Sequence, residues 1–335
     1  MCAYSIGDLA SSFATMNQTS RIRHTIERLT DELASGRTQD VLERLGGDYT
    51  RLSDIEHRMT MLDGYRLSAG ETDAVFATAE VVMGRLQDAS GGLGNTLLSL
   101  GGGSTGPGFD AIAEDARTAL DTMTYALNSS ASGRYLFAGT QTDRAPMADS
   151  ETILSALKAE IAGLTSAADI SQAAQDWFDD PGGFRALAYS GSDVPLAPVE
   201  IGEDTHVSFT WRADDEAFRD AIQATALAAL AAGGETDLDA AELRGFLTER
   251  GSSLKNSEDD LTVIRTELGA GQSRLAEVSA RNAAERTSLD YARGALLEAD
   301  PYETAVRLED AQFRLESLYA VTVRMSQLSL TSFLR

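Results

Sequence analysis

Cysteine is nearly absent from this chain. The one thiol, Cys2, excludes an intramolecular disulfide and any cysteine metal cluster. Histidine is scarce too: His24, His57 and His206 lie far apart, with no HExxH and no nearby set of ligand residues, so no metal is expected. No stretch approaches the roughly 18 uninterrupted apolar residues of a membrane-spanning helix. The opening MCAYSIGDLASSFATMNQ places no Lys or Arg before a weakly apolar run, so a cleaved secretory signal is not expected. Positive charge is also in deficit. A formal net charge of -24 argues against nucleic acid and anionic membrane surfaces, both of which demand a basic footprint. The deficit is concentrated in residues 151–250, where 6 Lys or Arg face 19 Asp or Glu, a local balance of -13 that favours solvent over partners. Composition alone therefore describes a cytosolic protein.

Catalytic patterns are missing as well. The glycine run GGGSTGPG at 101–108 lacks the Lys-Ser/Thr of a phosphate-cradling loop. Asp237 and Asp239 begin like a calcium loop, but Glu242 stands where glycine is required and Thr248 where glutamate is required. No serine sits in a G-x-S-x-G elbow. No catalytic, cofactor-binding or metal-binding residue is assigned, and no cofactor is expected.

What the chain does have is helical rhythm. Ile22, Ile26, Leu29 and Leu33 step by four, three and four, one stripe of a helix that Ser35-Gly36 breaks. The rhythm resumes through Leu42, Leu45, Tyr49, Leu52, Ile55, Met59 and Leu62 and continues through Val75, Val82 and Leu86 to the glycine run. A further helix is expected from Phe109 to Ser132, with Gly133 ending it in left-handed conformation. At the other end, residues 252–299 lack proline and favour helix; Asp300-Pro301 marks a boundary with proline suited to a first turn. Beyond it Leu308, Ala311, Leu315, Leu318, Thr322 and Met325 alternate steps of three and four, the coiled-coil period.

Between these helical ends the texture changes. The alternation Val207, Phe209, Trp211 amid proline and glycine turns predicts strands, flanked by helices near 152–164 and 215–232, with Trp177 and Trp211 in the core of this insert. The predicted fold is mainly α: an elongated helical bundle or coiled coil from the N- and C-terminal segments, with a small mixed α/β outer domain inserted. The expected division is 1–40 as an N-terminal helix, loose in the free monomer, 41–142 and 251–299 as a helical rod, 143–250 as the acidic outer domain, and 300–335 as a C-terminal helix; the resemblance set out next implies that both end helices serve assembly and the first also export. Gly133, Tyr135, Phe137 and Gly139 form a structural cassette, in which the aromatics clip a short strand to the rod and Gly139 launches the outer domain.

Four stretches in this order, RIRHTIERLTDELASGRTQDV, SSASGRYLFAGTQTDRAPM, YSGSDVPLAPVEIGEDTHVSFTWRADDEAF and LEDAQFRLESLYAVTVRMSQLSLTSFL, resemble the flagellin superfamily, and within it the hook-associated junction proteins. After Ser35-Gly36 flagellins carry a pattern like R-I-N-S-A-x-D-D-A-A-G; the text here, RTQDVLERLGGD, departs from it, as does the closing SQLSLTSFLR. The resemblance implies a structural role between hook and filament, with self-association into a ring, contact with the preceding hook-associated protein and with flagellin, and a cytoplasmic export chaperone on the C-terminal segment. It also implies type III export from an uncleaved N-terminal signal, and so an extracellular place on the flagellum that composition alone does not indicate. No contact with nucleic acid and no membrane insertion is implied. The assembly residues on this reading are Ile22, Ile26, Leu29, Leu33, Leu308, Leu315, Leu318, Met325, Leu328, Leu330, Phe333 and Leu334. A filament-forming flagellin and a non-flagellar secreted coiled-coil protein are the alternatives.

Overall fold

The computed structural model describes residues 6–100 and 108–333. Ten helices and four short strands are found among them, so the chain is mainly helical with a small inserted region, as its periodicity predicts. Helix α1 runs Ile6–Ser35, and Gly36, at φ +67°, ends it where the stripe breaks. The rhythm of 42–62 is not one helix. A single turn, α2 (Val41–Arg44), is followed by Gly46 and Gly47 at positive φ, and the long helix α3 begins only at Thr50 and runs to Ser99. Two consecutive left-handed glycines cannot continue a right-handed helix, and this separates Leu42 and Leu45 from Leu52.

The chain divides into two units, residues 1–62 with 284–335 and residues 63–283. In the larger unit α4 (Phe109–Leu127) packs along α8 (Glu216–Ala232). Ile112, Ala116, Leu120, Met123 and Leu127 of α4 are fully buried, a stripe of steps four, four, three and four. α8 is apolar nearly all round, and Ala221 through Ala232 are buried but for one position, as expected of a helix in the middle of a core. Its alanines combine the strongest helix preference with the smallest side chain, so neighbours approach it closely on every side.

The long helix α9 (Ala240–Leu297) contributes Leu247, Leu254, Leu261 and Leu268, one per heptad, to the same core. It approaches α3 closely at glycines: a Cβ added to Gly251 would lie 3.1 Å from the carbonyl oxygen of Gly94 and 3.0 Å from Leu97 Cβ, and one added to Gly271 would lie 2.8 Å from the Phe76 ring. Asp239 precedes α9, and its carboxylate accepts from the backbone N–H groups of Ala241 (2.8 Å) and Glu242 (2.9 Å). The acidic pair that begins like a calcium loop thus contains a helix cap.

The insert adds α5 (Ser150–Glu160), α6 (Ala167–Asp179), the single turn α7 (Phe184–Leu187) and a two-stranded hairpin. α6 is unexpected from the sequence reading, although Ile170, Ala174, Trp177 and Phe178 have helical spacing and are buried. In the hairpin, β3 (Val199–Gly202) pairs antiparallel with β4 (Thr205–Val207). The strand expected across Val207, Phe209 and Trp211 stops at Val207. Phe209 is buried and Trp211 packs against the core without a ladder.

Candidate assembly interface

The smaller unit brings the two ends of the chain together. α10 (Pro301–Phe333) lies along α1. Thr304 and Ala311 of α10 are buried, with Leu308, Leu315 and Leu318 half-buried on the same side. On α1, Leu29 is buried at 2% exposure, Ile22 and Ile26 are half-buried, and Leu33 is exposed. The Arg23 guanidinium donates to the Tyr319 hydroxyl and lies 5.9 Å from its ring centre, closing the edge of the seam with a cation–π contact. The side chains of Met325, Leu328, Leu330 and Phe333, and the whole of Leu334, lie outside the described residues.

The pair is anchored by a joint made of its two chain breaks. Arg37 and Glu298 form an antiparallel bridge; Thr38 N–H donates to the Leu297 carbonyl (2.9 Å), and Ala299 N–H donates to that of Gly36 (3.0 Å). Glu32, buried beneath the turn, accepts from Arg28 Nη1 at 2.9 Å and from Gln39 N–H at 2.8 Å. Asp300 caps α10, accepting from the N–H groups of Tyr302 (2.9 Å) and Glu303 (3.1 Å), while Pro301 occupies the first helical position, which needs no donor. Both breaks therefore satisfy their own backbone groups and each other's.

A second apolar face appears that sequence reasoning did not find. On the side of α10 away from the seam, Tyr302, Val306 and Phe313 are spaced by four and seven, and Tyr302 and Phe313 are 80% and 69% exposed. Val323 continues the exposed apolar surface on α10, and Phe13 and Met16 are exposed on α1. The signal was present as a second run of apolar residues at heptad intervals, interleaved with the stronger run through Leu308. Helices apolar on two sides bury one side in their own chain and offer the other.

The cassette belongs to the larger unit. α4 ends at Leu127, five residues before the expected Ser132, because the Asn128 side chain exchanges two hydrogen bonds with the Met147 backbone, at 2.9 and 2.8 Å. A minimal hairpin follows, β1 (Ser130–Ala131) against β2 (Arg134–Tyr135), turned by Ser132 at φ 52° and Gly133 at φ 77°. Gly133 is left-handed as expected, but in a hairpin turn rather than at a helix end; two positive φ values in succession suit the right-handed twist of the strands. Tyr135 is half-exposed, while Phe137 is fully buried beyond the strand. Phe137 lies 5.7 Å from Phe209 and 5.8 Å, edge-on, from Phe218, so it ties the cassette to the insert and to α8. Its carbonyl accepts from Ala213 N–H at 2.9 Å. Gly139, at φ +58°, has no room for a side chain: a Cβ there would lie 2.6 Å from the carbonyl oxygens of both Ser192 and Val194.

Next to this strap sits a buried charge. The Asp214 side chain is wholly buried, with Arg185 Nη2 2.9 Å and Arg212 Nε 3.5 Å away. Burial raises its pKa above the usual 3.8, outweighing the pull of the two arginines. His24, His57 and His206 are exposed, and no group of three metal-ligating side chains occurs among the described residues.

Residues 254–334, most of α9 and all the described part of α10, match the family model of the bacterial flagellin C-terminal helical region. That family is structural and non-enzymatic. No curated protein matches the chain in sequence. Among solved structures, a protein described as a flagellar hook-associated protein from Vibrio parahaemolyticus superposes with a TM-score of 0.51 at 11% identity, covering 73% of this chain and 95% of its own. The Bacillus cereus protein FlgL superposes with a TM-score of 0.52 at 12% identity, covering 72% of this chain and all of its own. At such identities the likeness is one of fold: long helices from the two ends of the chain packed together, with a smaller region inserted between them.

Proposed function

We propose that this chain, whose residues 254–334 form a bacterial flagellin C-terminal helical region, is a structural protein of the flagellum that joins the hook to the filament. It is exported without a cleaved signal peptide, held beforehand by a cytoplasmic chaperone on its C-terminal segment, and assembles as a ring of copies outside the cell. The preceding hook-associated protein meets one side of the ring and flagellin the other. Segments 1–40 and 300–335 make the assembly contacts, the helical segments 41–142 and 251–299 support them, and the acidic segment 143–250 faces solvent.

The observation that carries this reading is the unfinished state of the terminal pair. An α10 that buries one stripe against α1 and leaves Tyr302, Val306 and Phe313 outward is a helix whose packing is completed by neighbours. Contacts along a tube are heterologous, one face meeting a different face of the next copy, and a helix pair with two dissimilar apolar faces supplies both. The four sequence stretches that resemble the hook-associated proteins support the junction over a filament subunit.

Phe313→Glu tests this cleanly because the side chain is outside the seam. In cells carrying only this variant, we expect the chain in the culture medium, normal hooks and no attached filaments. Immunogold labelling of the unmodified chain should give a band at the distal end of the hook. Label along the whole filament would assign the chain as a filament subunit instead, and normal filaments on the variant cells would remove α10's outer face from assembly.

A further inference from the structure

Helix α3 carries an apolar row that the core of its unit does not use. Its inward row, Phe76, Ala79, Met83 and Leu86, is buried. Roughly 170° further around the helix, at about 100° per residue, Leu67, Gly70, Ala74, Ala77, Val81 and Gly84 follow one another at steps of three and four. Leu67 and Val81 are 64% and 54% exposed, and Gly70, Ala74 and Ala77 are exposed beside them. A row facing water ordinarily carries charge, and no member of this one does. The two glycines are informative in their own right. A Cβ on Gly70 or Gly84 would meet nothing within 4 Å, so nothing in the chain requires them there, although glycine is the poorest helix former after proline. Bare positions on an exposed seam admit the close approach of another backbone.

We propose that this row docks against the same row of a second copy of the chain, the two α3 helices running antiparallel. Size selects that orientation. About a two-fold axis between Ala74 and Ala77, Leu67 meets Gly84 of the second copy, Val81 meets its Gly70, and Ala74 meets its Ala77, so each layer pairs large with small or small with small. A parallel pair would set Leu67 against Leu67 and Gly70 against Gly70, alternating bulges with gaps.

Charge selects the same orientation independently. Glu71 and Arg85 flank the row on one edge, and neither has a hydrogen-bond or ion-pair partner among the described residues. That edge meets its own equivalent only in an antiparallel pair, where Glu71 comes within reach of Arg85 of the second copy, twice by symmetry. On the other edge Asp73 faces Glu80 of the second copy, whose charge is already met by its Arg265, as in the single chain. The pairing goes beyond the terminal assembly contacts, since the row lies within residues 63–283 and is tested on the free chain in solution.

The test uses two full-length chains, both with Cys2→Ser, one carrying Ala74→Cys and the other Ala77→Cys, with a tag on one to distinguish their sizes. Mixed and mildly oxidised, they should give mainly the covalent heterodimer on non-reducing gels. Arg85→Glu in both chains should lower that yield several-fold, and adding Glu71→Arg should restore it. Gly84→Leu should also abolish it while leaving the far-ultraviolet circular dichroism of the chain unchanged. No covalent dimer, homodimers in excess of the heterodimer, or a yield indifferent to Arg85→Glu would each overturn the proposal.

Discussion

The two units of this chain use the same helical period and finish their packing to different degrees. In residues 63–283, α8 is buried on nearly every side and α4 presents an unbroken buried stripe from Ile112 to Leu127. In residues 1–62 with 284–335, the apolar positions buried in the α1–α10 seam are Leu29 and Ala311, and much of what remains is half-covered or bare. A heptad rhythm therefore announces that a helix will pack, and leaves open whether its own chain supplies the whole partner. The larger unit encloses a completed core and leaves the outer row of α3 bare. The terminal pair is half of an interface.

Substitutions should separate the two accordingly. The largest stability loss is expected at the hub of the larger unit, where Phe137→Ala removes a fully buried ring that meets both Phe209 and Phe218 and should cost about 3–5 kcal/mol by chemical denaturation. Gly139→Ala comes next, at about 2–4 kcal/mol, because the left-handed backbone and the two carbonyl oxygens 2.6 Å from any added Cβ both oppose a side chain. Phe313→Glu, in contrast, should leave the melting of the isolated chain within about 0.5 kcal/mol of the parent, as surface changes do, while removing attachment.

A smaller effect concerns pH. The raised pKa of Asp214 means that the folded chain holds this proton more tightly than the unfolded one, so its contribution makes stability fall as pH rises from about 3.8 through the higher folded value. The helix caps Asp149 and Asp239 work oppositely, since backbone hydrogen bonds lower their pKa values and their stabilisation is lost as acid protonates them. Asp214→Asn should therefore steepen the loss of thermal stability on acidification. An unchanged pH profile would mean that the two arginines balance the burial of this carboxylate.

Much of the fold was legible because the responsible forces are local. The break at Ser35-Gly36, the boundary at Asp300-Pro301 and the stripe through Leu308 each follow from a residue's own backbone preference or from spacing along one helix. What was not legible depended on distant partners. α4 stops at Leu127 because Asn128 bonds Met147, and no feature of residues 109–132 discloses that. α6 was passed over although Ile170, Ala174, Trp177 and Phe178 carry its period, since the prolines and glycines after it made the insert read as strands and turns. Within the candidate interface, an apolar stripe through Leu308 is visible as spacing along the chain, but which of α10's two faces meets α1 is decided by the fold. The outward face of Tyr302, Val306 and Phe313 escaped notice for that reason.

Hydrogen exchange on α10 in two states, the free chain and chain isolated within intact flagella, tests most directly whether the terminal pair is completed by neighbours. Backbone amides from Val306 to Val323 should exchange readily in the free chain, faster than those of α4 and α8, and become protected in the flagellar sample. Protection in the free chain equal to that of α8, unchanged on incorporation, would contradict it.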